Sequence, residues 1–164
     1  MNYQDWLATI SKEFTGDALR KMEVYRLALF AGNIAWPDVT KLMQGRRTLS
    51  LSDQLYRAVG SVNANYPEGY SRSSRKDQVR FYEYALGSAR EARGWYWKGR
   101  HVLSEAVALH RMQLLTHIVR HLLNIIPAER SYALREEPPP YHVGTEITEL
   151  ETLLTNVPLP PEAT

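Results

Sequence analysis

Three groups of residues in this 164-residue chain are of types and spacings that could do chemistry. Glu68 and Glu91 are candidate paired carboxylates, which perform acid–base work when their surroundings drive the two pKa values apart. His117 and His121 stand one helical turn apart, a spacing at which two imidazoles can clasp an ion. Di-iron helical bundles, however, use Glu-x-x-His on two helices, and that pattern does not occur here. A solvated or interface histidine pair is the plainer reading. The third group is cationic: Arg46 and Arg47, then Arg72, Arg75, Lys76 and Arg80, then Lys98 and Arg100 at the end of Trp95-Tyr96-Trp97-Lys98-Gly99-Arg100. Interleaved aromatics and cations stack bases and neutralise phosphates in single-stranded nucleic-acid binders. The alternative is that Trp95 or Trp97 packs the core and the cations cover its rim.

Other chemistries drop out by composition. With no cysteine there is no disulfide framework, thiolate zinc site, iron–sulfur cluster or cysteine nucleophile. No Gly-x-Gly-x-x-Gly, Walker-type, Gly-x-Ser-x-Gly or His-Glu-x-x-His run is present, so no cofactor is expected. No stretch approaches the roughly 18 apolar residues that span a bilayer, and the first 16 residues lack the pattern of a signal peptide, which predicts a cytoplasmic protein without a membrane partner. The net charge of +2 conceals a division along the chain. Residues 17–135 carry 19 Lys or Arg against 10 Asp or Glu, whereas residues 136–164 carry six Glu and no basic residue. A basic body with an acidic tail suggests contact with a polyanion and an intramolecular competitor for it.

The elements that must position these groups read as helices. Residues 1–16 form a leader with Trp6, Ile10 and Phe14 on one face. Asp17 caps a first long segment, which Pro37 kinks or interrupts, and Gln44–Arg47 form a loop. Ser50 or Ser52 caps the second helix, weakened at its end by Pro67 and Gly69. Ser74 and Asp77 start the third in a capping-box arrangement, and Gly99 ends it. Ser104 caps the fourth, where Ala108, Met112, Leu115, Val119, Leu122 and Ile126 make an apolar stripe before Pro127 closes it. Its apolar arc, broken by His110, Gln113, His117, Arg120 and Asn124, is wide enough to predict extra burial against another subunit. Residues 17–130 are thus expected as an all-α, up-down-up-down antiparallel four-helix bundle. Residues 131–164 follow as a Pro-rich acidic tail, with extended, mobile proline pieces around a short helix at 146–154.

On the second helix Gln54, Ala58, Ser61, Asn65, Glu68 and Arg72 recur at steps of three and four, so one polar line either faces water or enters an internal hydrogen-bond network. The third helix offers a seam of small residues, Ala85, Ser88 and Ala92, with Gly87 beside it and Glu91 one turn on. The network reading groups Gln54, Arg57, Asn65, Glu68, Arg72, Ser88 and Glu91 and has Arg72 neutralise a carboxylate.

Gln54-Leu55-Tyr56-Arg57-Ala58, Asn65 with Glu68-Gly69 and Arg72, Lys76-Asp77, and Ala85-Leu86-Gly87-Ser88 with Glu91 resemble the signature of the bacterial four helix bundle protein family, encoded in intervening sequences of large-subunit ribosomal RNA genes. The resemblance covers roughly residues 19–127. It departs from the family at Tyr66-Pro67, which predicts a bend, and in the tail, which is an addition. The resemblance implies a homopentameric barrel with a central channel and no enzymatic activity. A related branch, the accessory proteins of diversity-generating retroelements, binds a reverse transcriptase and its RNA. The Asn-x-x-Glu-Gly centre places this chain nearer the intervening-sequence branch. The expectation is therefore a non-enzymatic oligomeric scaffold binding RNA or DNA through a repeated basic surface. The alternative is a protein-interaction module, with a partner such as a reverse transcriptase held by the ring or the acidic tail.

Overall fold

The computed structural model describes residues 2–130 and 143–162, and these contain seven α-helices and no strand. The leader is two short helices, α1 (Tyr3–Thr9) and α2 (Lys12–Thr15), separated because Ile10 adopts extended backbone geometry and Ser11 restarts the chain. The continuous Trp6–Ile10–Phe14 face is thereby lost. Trp6 is buried against Tyr3 and Phe30 with ring centroids 5.7 and 5.2 Å away, whereas Phe14 lies exposed. Asp17 caps a 3-10 turn, accepting from the Leu19 N–H, rather than the long helix that follows.

Four long helices then alternate in direction: α3 (Glu23–Met43), α4 (Leu49–Tyr70), α5 (Arg75–Leu103) and α6 (Glu105–Arg130). Each packs against its sequence neighbour, and α6 returns to α3, closing the expected up-down-up-down bundle. Leu27, Phe30, Leu42, Leu55, Leu103, Leu114, Leu115, Ile118 and Leu122 fill its interior. A last helix, α7 (Val143–Thr155), spans more than the expected 146–154 and packs on α6 and α1. The Pro138-Pro139-Pro140 piece lies outside the described residues.

Breakers act more weakly than the sequence suggests. Pro37, Pro67 and Pro127 sit inside α3, α4 and α6 without ending them. At Pro37, Ile34, Ala35, Asp38, Val39 and Leu42 are all buried, and their packing offsets the roughly 3 kcal/mol that an interior proline costs. The carbonyl it frees belongs to Asn33, which is exposed to water. Thr48, not Ser50 or Ser52, precedes α4, and its hydroxyl donates back to the carbonyls of Leu42 and Gly45. Gly99 does not end α5. It is buried, and a β-carbon there would stand 3.4 Å from Leu103, 3.5 Å from Leu42 and 3.6 Å from Leu51, ordinary contact distances at which a methyl would fit. Ser74 and Ser104 do cap as expected, accepting from the N–H groups of Asp77 and Val107.

Gly69 has a sharper role. A β-carbon there would come within 2.8 Å of the Tyr82 ring and 3.0 Å of the Gln78 carbonyl oxygen. Tyr82 has nowhere to go, because it is buried and stacked on Tyr66 at 5.0 Å. Gly69→Ala is therefore expected to destabilise the fold by about 1–3 kcal/mol. At Gly87 an added methyl meets nothing within 4 Å, and Gly87→Ala should stabilise by about 0.5–1 kcal/mol. Urea titrations of the two variants check the pair; equal effects of one sign would overturn the packing account.

Candidate functional site

The polar line on α4 divides when α5 is placed beside it. Ser88 Oγ donates to Ser61 Oγ at 2.8 Å, and Asn65 Nδ2 donates to Ser61 Oγ at 2.9 Å and to the Ser61 carbonyl at 2.8 Å. These three residues form a half-buried polar seam between the helices. The remaining members of the expected network lie elsewhere. Arg72 pairs with Glu68 and Arg57 with Asp53, in both cases on the exposed surface. Glu91 is exposed and accepts from Trp95 Nε1 at 3.0 Å, while Gln54 is only half-buried near the start of α4. The Ser61–Ser88 register also separates the two carboxylates. Glu68 lies seven residues from it toward the α4–α5 turn and Glu91 three residues from it in the opposite direction, about 15 Å apart along the bundle. They do not form an acid–base pair.

The cations fall at two ends of the bundle. Because α4 is about 33 Å long, Arg46 and Arg47 in the α3–α4 turn share one end with Lys98 and Arg100, while Arg72, Arg75, Lys76 and Arg80 share the other. Both sets interleave with aromatics. Arg72 lies 4.7 Å from the Phe81 ring centroid, and Arg80 lies 5.6 Å from that of Tyr84 while its Nε donates to the Tyr84 hydroxyl at 2.6 Å. At the far end Lys98 covers Trp95 at 4.3 Å and Arg100 covers Trp97 at 3.7 Å. Trp97 is exposed beneath the Arg100 guanidinium, whereas Trp95 is half-buried against the core. Ser74, Arg75, Lys76, Val79 and Arg80, together with the acidic Asp77 and Glu83, line an open groove of about 570 Å³ beside the start of α5. On the α3–α4 face Trp36, Met43, Leu49 and Tyr56 are exposed together around an apolar groove of about 460 Å³, with the Trp36 and Tyr56 rings edge to face at 5.8 Å.

The most completely bonded polar cluster lies inside the bundle, and reading the sequence did not reveal it. Arg111 of α6 is 1% exposed and Asp38 of α3 is 0% exposed. The guanidinium grips the carboxylate with two bonds, Nε to Oδ2 at 2.8 Å and Nη2 to Oδ1 at 3.2 Å. The Tyr96 hydroxyl of α5 donates to Asp38 Oδ2 at 3.0 Å. Arg111 Nη1 donates to His110 Nδ1 at 2.9 Å, which leaves the proton of this neutral imidazole on Nε2, donated to the Leu153 carbonyl at 2.7 Å. Arg111 Nη2 also donates to the Pro158 carbonyl at 2.9 Å. Burial pushes the Asp38 carboxyl above its usual range, against the pull of Arg111. Burial drives the Tyr96 hydroxyl well above 10, aided by the Asp38 charge. The His110 imidazole is lowered to about 4, first by burial and then by the adjacent guanidinium.

This cluster holds rather than reacts, since its protons and lone pairs are already committed to one another. A signal for it existed in the sequence. Asp38 sits between Ile34 and Leu42 on the apolar stripe of α3, and Arg111 between Ala108 and Leu115 on that of α6. A charge on a core-facing stripe is costly to bury alone, which marks each of the two as needing a partner without saying which.

The histidine pair also separates. His121 faces Glu23 of α3 at 3.6 Å, while His117 is buried beside a cleft of about 430 Å³ between α6 and α7 that Thr116, Arg120, Glu149 and Thr152 also line. Among the described residues no three His, Asp or Glu gather closely enough to hold a metal ion, and no helix is long and apolar enough to cross a membrane.

Fold and site together define a small all-helical antiparallel bundle with aromatic–cation pairs at both ends and a buried ion pair joining α3 to α6. The sequence matches the 23S rRNA-intervening sequence proteins over residues 20–124, and the chain belongs to that family. It is also similar to a crystal structure of a protein of unknown function from the S23 ribosomal protein family of Bacteroides thetaiotaomicron. The TM-score is 0.59 at 22% identity, over 63% of this chain and 97% of that one. No curated protein matches the sequence.

Proposed function

We propose that this chain is a non-enzymatic scaffold that binds RNA through its aromatic–cation surface, repeated around a homo-oligomeric, pentameric ring. The observation that carries the reading is the groove at the start of α5, where Arg75, Lys76 and Arg80 lie beside the Arg72–Phe81 and Arg80–Tyr84 pairs. Of the two aromatics there, Tyr84 is exposed and Phe81 half-buried; a base stacks on such a ring when it displaces the guanidinium lying over it, and the cations alongside neutralise phosphates. The net charge of +9 on residues 17–135 supports it, because the same surface repeated by symmetry turns a weak contact into an avid one. The exposed apolar groove of Trp36, Met43, Leu49 and Tyr56 supports contact between copies, or with a protein partner such as a reverse transcriptase, which is the second reading.

Binding of a single-stranded RNA should weaken at least tenfold between about 50 and 200 mM salt, through loss of counterion release. The Arg75→Glu/Lys76→Glu/Arg80→Glu variant should weaken it by a further factor of about ten or more. Salt-independent affinity, or affinity indifferent to the charge reversal, would sink the RNA reading. Light scattering tests the ring separately, and a mass of one chain would remove it.

A further inference from the structure

The C-terminal segment turns back along the bundle and is held there by three kinds of contact. Leu150 and Leu154, one turn apart on α7, pack with Val157 against the core. His110 and Arg111 donate to the carbonyls of Leu153 and Pro158, where the chain leaves its helix. Lys41 Nζ of α3 donates to the Glu162 carbonyl at 3.1 Å. The Pro158–Pro161 stretch is thus tied down rather than loose at its first residue. The segment follows α6 and reaches α1 and α3, so it does not run along the α4–α5 seam.

We propose that the α3–α6 face is a peptide-binding groove whose ligand in this structure is the chain's own acidic segment 143–162, and that the same segment from a second copy can replace it in trans. Three observations carry this. The contacts from His110 and Arg111 are both made to main-chain carbonyls, so recognition reads the shape of a short helix followed by an extended proline stretch, with leucines as anchors. The polar cluster is built without the segment: Asp38 from α3 and Tyr96 from α5 fix the Arg111 fork, so its free donor is aimed before a ligand arrives. Finally, α7 has 13 residues with Glu151, Thr152 and Thr155 exposed, and a helix that short is marginal alone, as expected of a segment ordered by docking. The family match ends at residue 124, before this segment begins.

The test uses the full chain with a specific protease site placed within residues 131–142. After cleavage the C-terminal fragment should co-elute with the bundle at about 100 µM and exchange with a fluorescent peptide of residues 143–162, with a Kd on the order of 1–10 µM once the tether's effective concentration is gone. Leu154→Asp in the cleaved protein should weaken retention at least tenfold. The proposal fails if the fragment separates at that concentration while the bundle keeps its helical circular dichroism, if it stays bound but never exchanges, or if Leu154→Asp leaves retention unchanged. Should the inserted site prevent folding, the uncleaved Leu150→Asp/Leu154→Asp chain should bind the labelled peptide that the unaltered chain excludes. A folded double variant with no peptide affinity would equally overturn it.

Discussion

Asp38→Ala is expected to lower the folding free energy by about 3–5 kcal/mol. The reason is the state in which it leaves Arg111. The guanidinium is 1% exposed and makes two of its bonds to that carboxylate, so removing Asp38 strands a charge where water cannot reach it. The Tyr96 hydroxyl loses its acceptor in the same step. Against a domain stability of about 5–15 kcal/mol such a loss brings the fold close to its threshold. It should appear as a fall in Tm of roughly 10 °C or more for a chain of this size. Replacing both partners separates the stranded charge from the rest of the cost: Asp38→Leu/Arg111→Met should recover part of the loss, because no unpaired charge stays buried, while the Tyr96 hydroxyl, His110 Nδ1 and the Pro158 carbonyl still lack their partners. Urea unfolding followed by circular dichroism provides both numbers. A cost under about 1 kcal/mol for Asp38→Ala would show that water reaches the guanidinium.

Acid should destabilise the fold through His110 well before most carboxylates titrate. In the folded protein its imidazole is lowered to about 4, whereas in the unfolded chain it titrates near 6.5. Between those values the unfolded state takes up a proton that the folded state refuses. Stability from this residue is therefore complete above about pH 6.5 and declines as pH falls toward 4. The physical block is that Nδ1 already accepts from Arg111, so a proton there would replace a hydrogen bond with a repulsion inside the bundle. The expected loss is about 2–3 kcal/mol across the window. Asp38, raised above its ordinary value by burial, acts with the opposite sign at the acid end. Comparison with His110→Gln removes that shared contribution, and the unaltered protein should lose about 2 kcal/mol more than the variant between pH 7 and 4.5. Parallel pH profiles would mean that His110 is not held neutral.

The parts of the fold that could be read from the sequence are those decided within a few residues. The apolar stripe on α6 and the serine caps at Ser74 and Ser104 depend on 3.6-residue periodicity and on one hydroxyl meeting one nearby N–H. The prolines misled for the complementary reason. Their local cost is fixed, but whether it breaks a helix depends on what the flanking residues bury, and around Pro37 they bury nearly everything. The aromatic–cation run from Trp95 to Arg100 was visible as a pattern, whereas the Arg72–Phe81 and Arg80–Tyr84 pairs, and the separation of the cations to opposite ends of the bundle, followed only from the structure of α4 and α5.

What the sequence alone determined was the four long amphipathic helices, their order, and the family signature from Gln54 to Glu91. Tertiary structure alone decided which polar groups meet. It drew Ser61, Asn65 and Ser88 into one seam while leaving Glu68, Arg72 and Glu91 at the surface, and it joined Asp38 to Arg111 across 73 residues. Periodicity specifies the face of a helix on which a side chain lies. The partner opposite that face depends on the rotation and register of a second helix, which the packing of both apolar stripes sets together and neither sequence segment contains.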